Sequence, residues 1–102
     1  MAYKMRFVQT FDKANSERFL ELEKGFVALE KKTPEMKVGR RYVPVVGKEA
    51  TNTMIWEAEY ETMEEAVAAL QTIENNSEHD ELLAEQIQFM RDAYVEIYRE
   101  LL

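Results

Sequence analysis

The chain has 102 residues, 46% of them hydrophobic and 32% charged, the size and balance of one globular domain over 1–102 rather than of a disordered segment. It contains no cysteine, which excludes a disulfide framework, a thiolate metal site and a thiol nucleophile. A formal net charge of −7 argues against nucleic acid as a partner, and no apolar run approaches the roughly 18 residues of a membrane span.

The opening stretch MAYKMRFVQTF lacks the apolar centre of a signal peptide, so the cytoplasm is the expected location. Residues 3–11 alternate as a strand, with Tyr3, Met5, Phe7 and Phe11 on one face and Lys4, Arg6, Val8 and Thr10 on the other. A helix follows over 16–32, its apolar stripe being Phe19, Leu22, Phe26 and Leu29. Gly25 weakens that helix by roughly 1 kcal/mol relative to alanine, which points to a close approach by the sheet. Thr33-Pro34 ends it, since proline restricts the residue before it and cannot continue the ladder.

Residues 36–46 and 53–61 read as a hairpin. Setting Arg41 opposite Glu57 brings Lys37 to Glu61, Val38 to Tyr60 and Tyr42 to Trp56. That register sorts an aromatic face from an ionic one on which Arg41 and Lys37 neutralise Glu57, Glu59 and Glu61. Pro44 cannot donate to a ladder and indicates an edge or a bulge. Thr62 and Glu65 form a capping box for a helix to about Asn75 that buries Met63, Ala66, Val67, Leu70 and Ile73. Ser77 then caps a last helix over 77–101, with an acidic first turn and apolar residues at 83, 87, 90, 94, 97 and 101. The fold class is α+β, a ferredoxin-like antiparallel sheet in the order β-α-β-β-α-α with its helices on one face.

Three stretches, YKMRFVQTFDKANSERFLELEKGF, MIWEAEYETMEEAVAAL and NSEHDELLAEQ, resemble the dimeric α/β-barrel superfamily, in particular its NIPSNAP-like and antibiotic-biosynthesis-monooxygenase-like groups. The resemblance implies a homodimer, a small-molecule ligand and, at most, a monooxygenase-like activity that uses no cofactor. It also implies that His79, in a turn that lies near the pocket mouth in those families, is the catalytic candidate. Members commonly end in a fourth strand, and a final helix over 77–102 departs from that pattern.

His79 is the only histidine, and its ordinary pKa of about 6.5 suits a general base or a ligand contact as well as a solvated first-turn position. Glu57, Glu59 and Glu61 share a face, but an ionic ladder accounts for them as well as an acid–base pair. Phe7, Tyr42, Trp56 and Tyr60 read either as core or as the lining of a pocket for a flat substrate. Candidate ligand-binding residues are Arg6, Arg41, Tyr42, Trp56 and Glu57. Residues 1–48 carry +5 and residues 49–102 carry −12, read as attraction between the halves or as a basic wall for an anionic ligand. There is no metal motif and no glycine-rich phosphate loop, so neither a metal nor a cofactor is expected. Two functions remain open: a small-molecule binder or cofactor-free enzyme, and a structural or interaction homodimer without catalytic activity.

Overall fold

The computed structural model describes residues 2–102, and Met1 lies outside them. The elements are β1 (Tyr3–Phe11), α1 (Ser16–Lys32), β2 (Arg40–Tyr42), β3 (Thr53–Tyr60), α2 (Met63–Glu74), α3 (Ser77–Gln86) and β4 (Met90–Arg99). Short 3-10 turns lead into α1 and β4. The strands form one antiparallel sheet in the order β2-β3-β1-β4. This is the expected α+β, ferredoxin-like sheet, with one more strand than the sequence reading allowed.

The extra strand corrects the helix expected over 77–101. Helix α3 stops at Gln86, and Met90–Arg99 pairs with β1 from Tyr3↔Arg99 to Phe11↔Met90. Without it, β1 would bury one edge against β3 and leave the other unpaired, and buried backbone polar groups must be satisfied. The segment suits both structures locally. Val95 and Ile97 alternate with Tyr94, Glu96 and Tyr98 as a strand requires, while the four–three spacing from Leu83 to Leu101 also fits a helix. The adjacent pairs Leu82-Leu83 and Phe89-Met90, which argue against a strand, lie in α3 and at the turn before β4.

The hairpin register is also corrected. Arg40 faces Glu57, Arg41 faces Trp56 and Tyr42 faces Ile55, one residue away from the expected pairing. Because side chains alternate, one step exchanges the faces of the whole strand. Arg41 therefore points under the helices, and Tyr42 lies 46% exposed on the opposite face. The strand is also shorter than 36–46. After Tyr42 the chain leaves the sheet at Val43-Pro44, and this irregular arm borders the open sheet face beside Val8, Ile55 and Tyr94.

The covered face holds the core. Met5, Trp56, Ala58 and Tyr60 pack with Ala66 of α2, and Phe11 stacks on Phe19 of α1 with Met54 alongside. Met63 and Val67, expected to be buried, are 40% and 38% exposed, because α2 meets the sheet along Ala66, Ala69 and Leu70. Gly25 accommodates α3 rather than the sheet: a Cβ there would sit 2.9 Å from Leu82 Cδ2. Thr62 caps α2 by accepting from the Glu65 N–H. The cap of α3 is Asn76, not Ser77, through its side-chain oxygen and the His79 N–H. Among the described residues no helix is long and apolar enough to cross a membrane.

Candidate functional site

The buried stripe of α1 is not wholly apolar. Glu23 follows Leu22 and Glu30 follows Leu29, seven residues apart, so both carboxylates turn toward the sheet beside Phe26. The register of β2 sets Arg41 between them. Its Nε donates to Glu23 at 2.9 Å, while Nη1 and Nη2 donate to the two oxygens of Glu30 at 2.9 and 2.6 Å. Nη1 also reaches the Gly39 carbonyl at 3.0 Å. Glu30 accepts further from the Gly39 N–H and the Trp56 indole N–H.

One guanidinium thus serves two nearly buried carboxylates. Burial works against the charge of Arg41, but Glu30 and Glu23 together outweigh it and hold its pKa above the ordinary value. Glu23 is the less favoured carboxylate. Burial raises its pKa more than its donors, Gln86 and Arg41, lower it, and the nearby Glu30 charge adds to the rise. Tyr60 is pushed up to about 12 by burial and by Glu30.

Above this cluster, between the sheet and the helices, is a cavity of about 250 Å³. Phe7, Gln9 and Trp56 form its sheet wall, Phe26 and Glu30 its α1 wall, and His79, Leu83 and Gln86 its α3 wall. The Phe7 and Trp56 rings meet edge to face at 5.1 Å. His79 lies edge-on to Phe26 at 5.0 Å, and burial lowers its pKa against the opposing pull of Asp80 and Glu30. Its imidazole is therefore neutral at physiological pH.

Four buried side-chain atoms lack a hydrogen-bond partner among the described residues: Arg6 Nε, Gln9 Oε1, His79 Nδ1 and Gln86 Oε1. Arg6 Nε lies 2.8 Å from a Glu57 oxygen within an ion pair. The other three belong to side chains that line the cavity.

The six residues singled out from sequence fall into two groups. His79, Arg41 and Trp56 come together at the cavity. Arg6, Tyr42 and Glu57 belong to the open face, where Glu57 pairs with Arg6 and, at 3.7 Å, with Lys4. Arg41 and Lys37 therefore do not neutralise the β3 carboxylates. Lys37 lies over the Tyr60 ring and donates to the Glu59 carbonyl. Sequence reasoning missed Glu23, Glu30, Gln86 and Gln9. Two glutamates seven apart beside the apolar stripe of α1 were a legible signal for the first pair. Among the described residues no cluster of three or more histidine or acidic side chains is arranged to hold a metal.

No protein-family model matches the sequence, and no curated protein matches it. The fold has clear counterparts among solved structures. A NIPSNAP family protein from Agrobacterium tumefaciens superposes with a TM-score of 0.81 at 9% identity, over 99% of this chain and 94% of that one. An antibiotic biosynthesis monooxygenase gives 0.75 at 14% identity, over 97% and 98%. A protein from Arabidopsis thaliana gives 0.70 at 20% identity, over 97% and 95%. The chain shares the ferredoxin-like fold of these proteins, as the sequence resemblance implied, and at such identities the likeness extends to the fold alone.

Proposed function

We propose that this protein binds a small molecule in the cavity between its sheet and helices, as a carrier or as a cofactor-free enzyme. The observation that carries this reading is the cavity of about 250 Å³ itself, walled by the Phe7, Phe26 and Trp56 rings and lined also by the polar side chains of Gln9, Arg41 and His79. A largely apolar, aromatic-walled space with a few polar side chains is the usual form of a small-molecule site, and this supports the reading. In an enzymatic version, His79 and Glu23 are the titratable groups available for proton transfer, since burial shifts both toward neutrality. A monooxygenase-like reaction is the most that the fold relationship suggests.

The test is binding of mono- and bicyclic aromatics followed by fluorescence of Trp56, the only tryptophan. Saturable 1:1 binding that is lost in Ala69→Leu, a change that extends a side chain into the cavity, supports the reading. Binding that Ala69→Leu leaves intact, or no binding by any compound, overturns it.

The open sheet face supports a homodimer as the assembly, and as the whole function if the cavity takes no ligand. Val45 and Val46 of the arm are 89% and 95% exposed, and Val43, Tyr94 and Tyr98 extend the same face. The ionic pairs on that face are of mixed sign, so two copies can meet there without net repulsion. Light scattering at micromolar concentration should give twice the chain mass, and Val45→Glu/Val46→Glu should give the monomer. A wild-type monomer at high concentration refutes the assembly.

A further inference from the structure

The cavity reaches solvent at Lys37, an exposed residue of the segment between α1 and β2 that also lines it. Lys37 Nζ lies 4.7 Å from the centroid of the Tyr60 ring, at the end of β3, and donates to the Glu59 carbonyl. An ammonium carries three donors, so two remain for another acceptor. The other charged groups of the lining are matched to one another. Arg41 is committed to Glu23 and Glu30, and Glu30 accepts from both Arg41 Nη atoms, the Gly39 N–H and the Trp56 indole. Among the described residues Lys37 has no carboxylate within ion-pair distance, which leaves it the uncommitted cation of the cavity.

Tyr60 supplies a second donor beside it. The residue is 5% exposed and its hydroxyl has no hydrogen-bond partner among the described residues. Its oxygen nevertheless keeps accessible surface, unlike the occluded unpartnered atoms of Gln9, His79 and Gln86. Burial and the Glu30 charge push the Tyr60 pKa up to about 12, so the group is a protonated phenol able to donate across the physiological range. Farther in stand the Phe7, Phe26 and Trp56 rings, around a volume that exceeds the roughly 150 Å³ admitting benzene. Two donors, one of them cationic, at the open end of an aromatic-walled space fit a flat apolar molecule with an anionic acceptor at one end.

Resting on the ligand-binding reading above, we infer that the occupant is an aromatic carboxylate, its rings among Phe7, Phe26 and Trp56 and its carboxylate held at the mouth by the Lys37 ammonium and the Tyr60 hydroxyl.

The experiment compares 2-naphthoate with 2-acetylnaphthalene, a neutral acceptor of similar shape, at pH 7 by NMR titration of the ¹⁵N-labelled protein. 2-Naphthoate should bind about fivefold to tenfold more tightly, the worth of a partly solvated charge-assisted hydrogen bond over a neutral one. Lys37→Met, which keeps the stem over the Tyr60 ring and removes the charge, should bring the two affinities within about twofold of each other. Tyr60→Phe removes a hydroxyl that has no protein partner and should weaken both ligands by about threefold to tenfold. If a variant does not fold, the wild-type ratio and its loss at high salt decide. Equal or tighter binding of 2-acetylnaphthalene within the cavity, or a ratio that Lys37→Met leaves unchanged, overturns the ligand class and leaves the binding site standing. No binding by either compound, together with no binder among the aromatics above, overturns both.

Discussion

Arg41→Met puts both the strand register and the buried cluster to one test. The substitution keeps an unbranched side chain of similar length and removes the only cation among the described residues that contacts Glu23 and Glu30 at hydrogen-bond distance. Three charge-assisted hydrogen bonds are lost, and two nearly buried carboxylates are left facing each other. Removing one partner of a buried ion pair costs about 3–5 kcal/mol, because the remaining charge stays desolvated. The side chains here keep 10–16% exposure, so the expected loss lies near the lower end, about 3 kcal/mol. At the slopes usual for a small domain, this moves the urea midpoint down by roughly 1–3 M. The deficit should also depend on pH. Glu23, whose folded pKa is already raised, rises further without Arg41, so the folded state binds its proton more tightly than the unfolded chain does. Stability of the variant then recovers as pH falls through that folded pKa, and the recovery is complete below the unfolded value. Adding Glu23→Gln to Arg41→Met should recover part of the loss at neutral pH. A loss below about 1 kcal/mol, the range of an exposed ion pair, would refute the reasoning. It would put Arg41 on the open face, opposite Glu57.

Trp56→Ala should cost about 3–5 kcal/mol, because the ring is only 5% exposed and holds both Phe7 and Glu30 in place; an unchanged denaturant midpoint would show that the ring belongs to an open site. Gly39→Ala should destabilise the protein by about 1–3 kcal/mol and shift Trp56 emission, since the new Cβ would lie 1.9 Å from the indole nitrogen; a stable variant with native emission contradicts this packing. His79, neutral in the fold with its pKa lowered by burial, makes stability fall as pH drops below about 6.5, where the unfolded chain takes up a proton that the folded one resists. The loss levels off below the folded pKa. His79→Phe should remove that component from urea midpoints measured at pH 7.5 and 5.5, and identical pH dependence in the two proteins would place the imidazole in solvent.

Local chemistry determined much of this protein from the sequence alone. The alternation of β1, the apolar stripe and proline stop of α1, the Thr62 cap of α2 and the start of α3 are each settled within a few residues of chain. So is the placing of Phe7, Trp56 and Tyr60 on the covered face of the sheet. Three matters were decided only in three dimensions. Met90–Arg99 satisfies helical and alternating spacing alike, and the open edge of β1 selects the strand. The β2 register depends on one step that charge pairing in the hairpin resolves wrongly. What the hairpin cannot show is that Glu23 and Glu30 wait on α1 for Arg41, and that the Trp56 ring needs the bare backbone of Gly39. The cavity lining is the most distant of the three, because Gln86 is held there by a carbonyl and a carboxylate more than sixty residues earlier in the chain. Local periodicity reports how a segment can bury its own side chains. Which backbone edge or buried charge it must satisfy is known only once the other elements are in place.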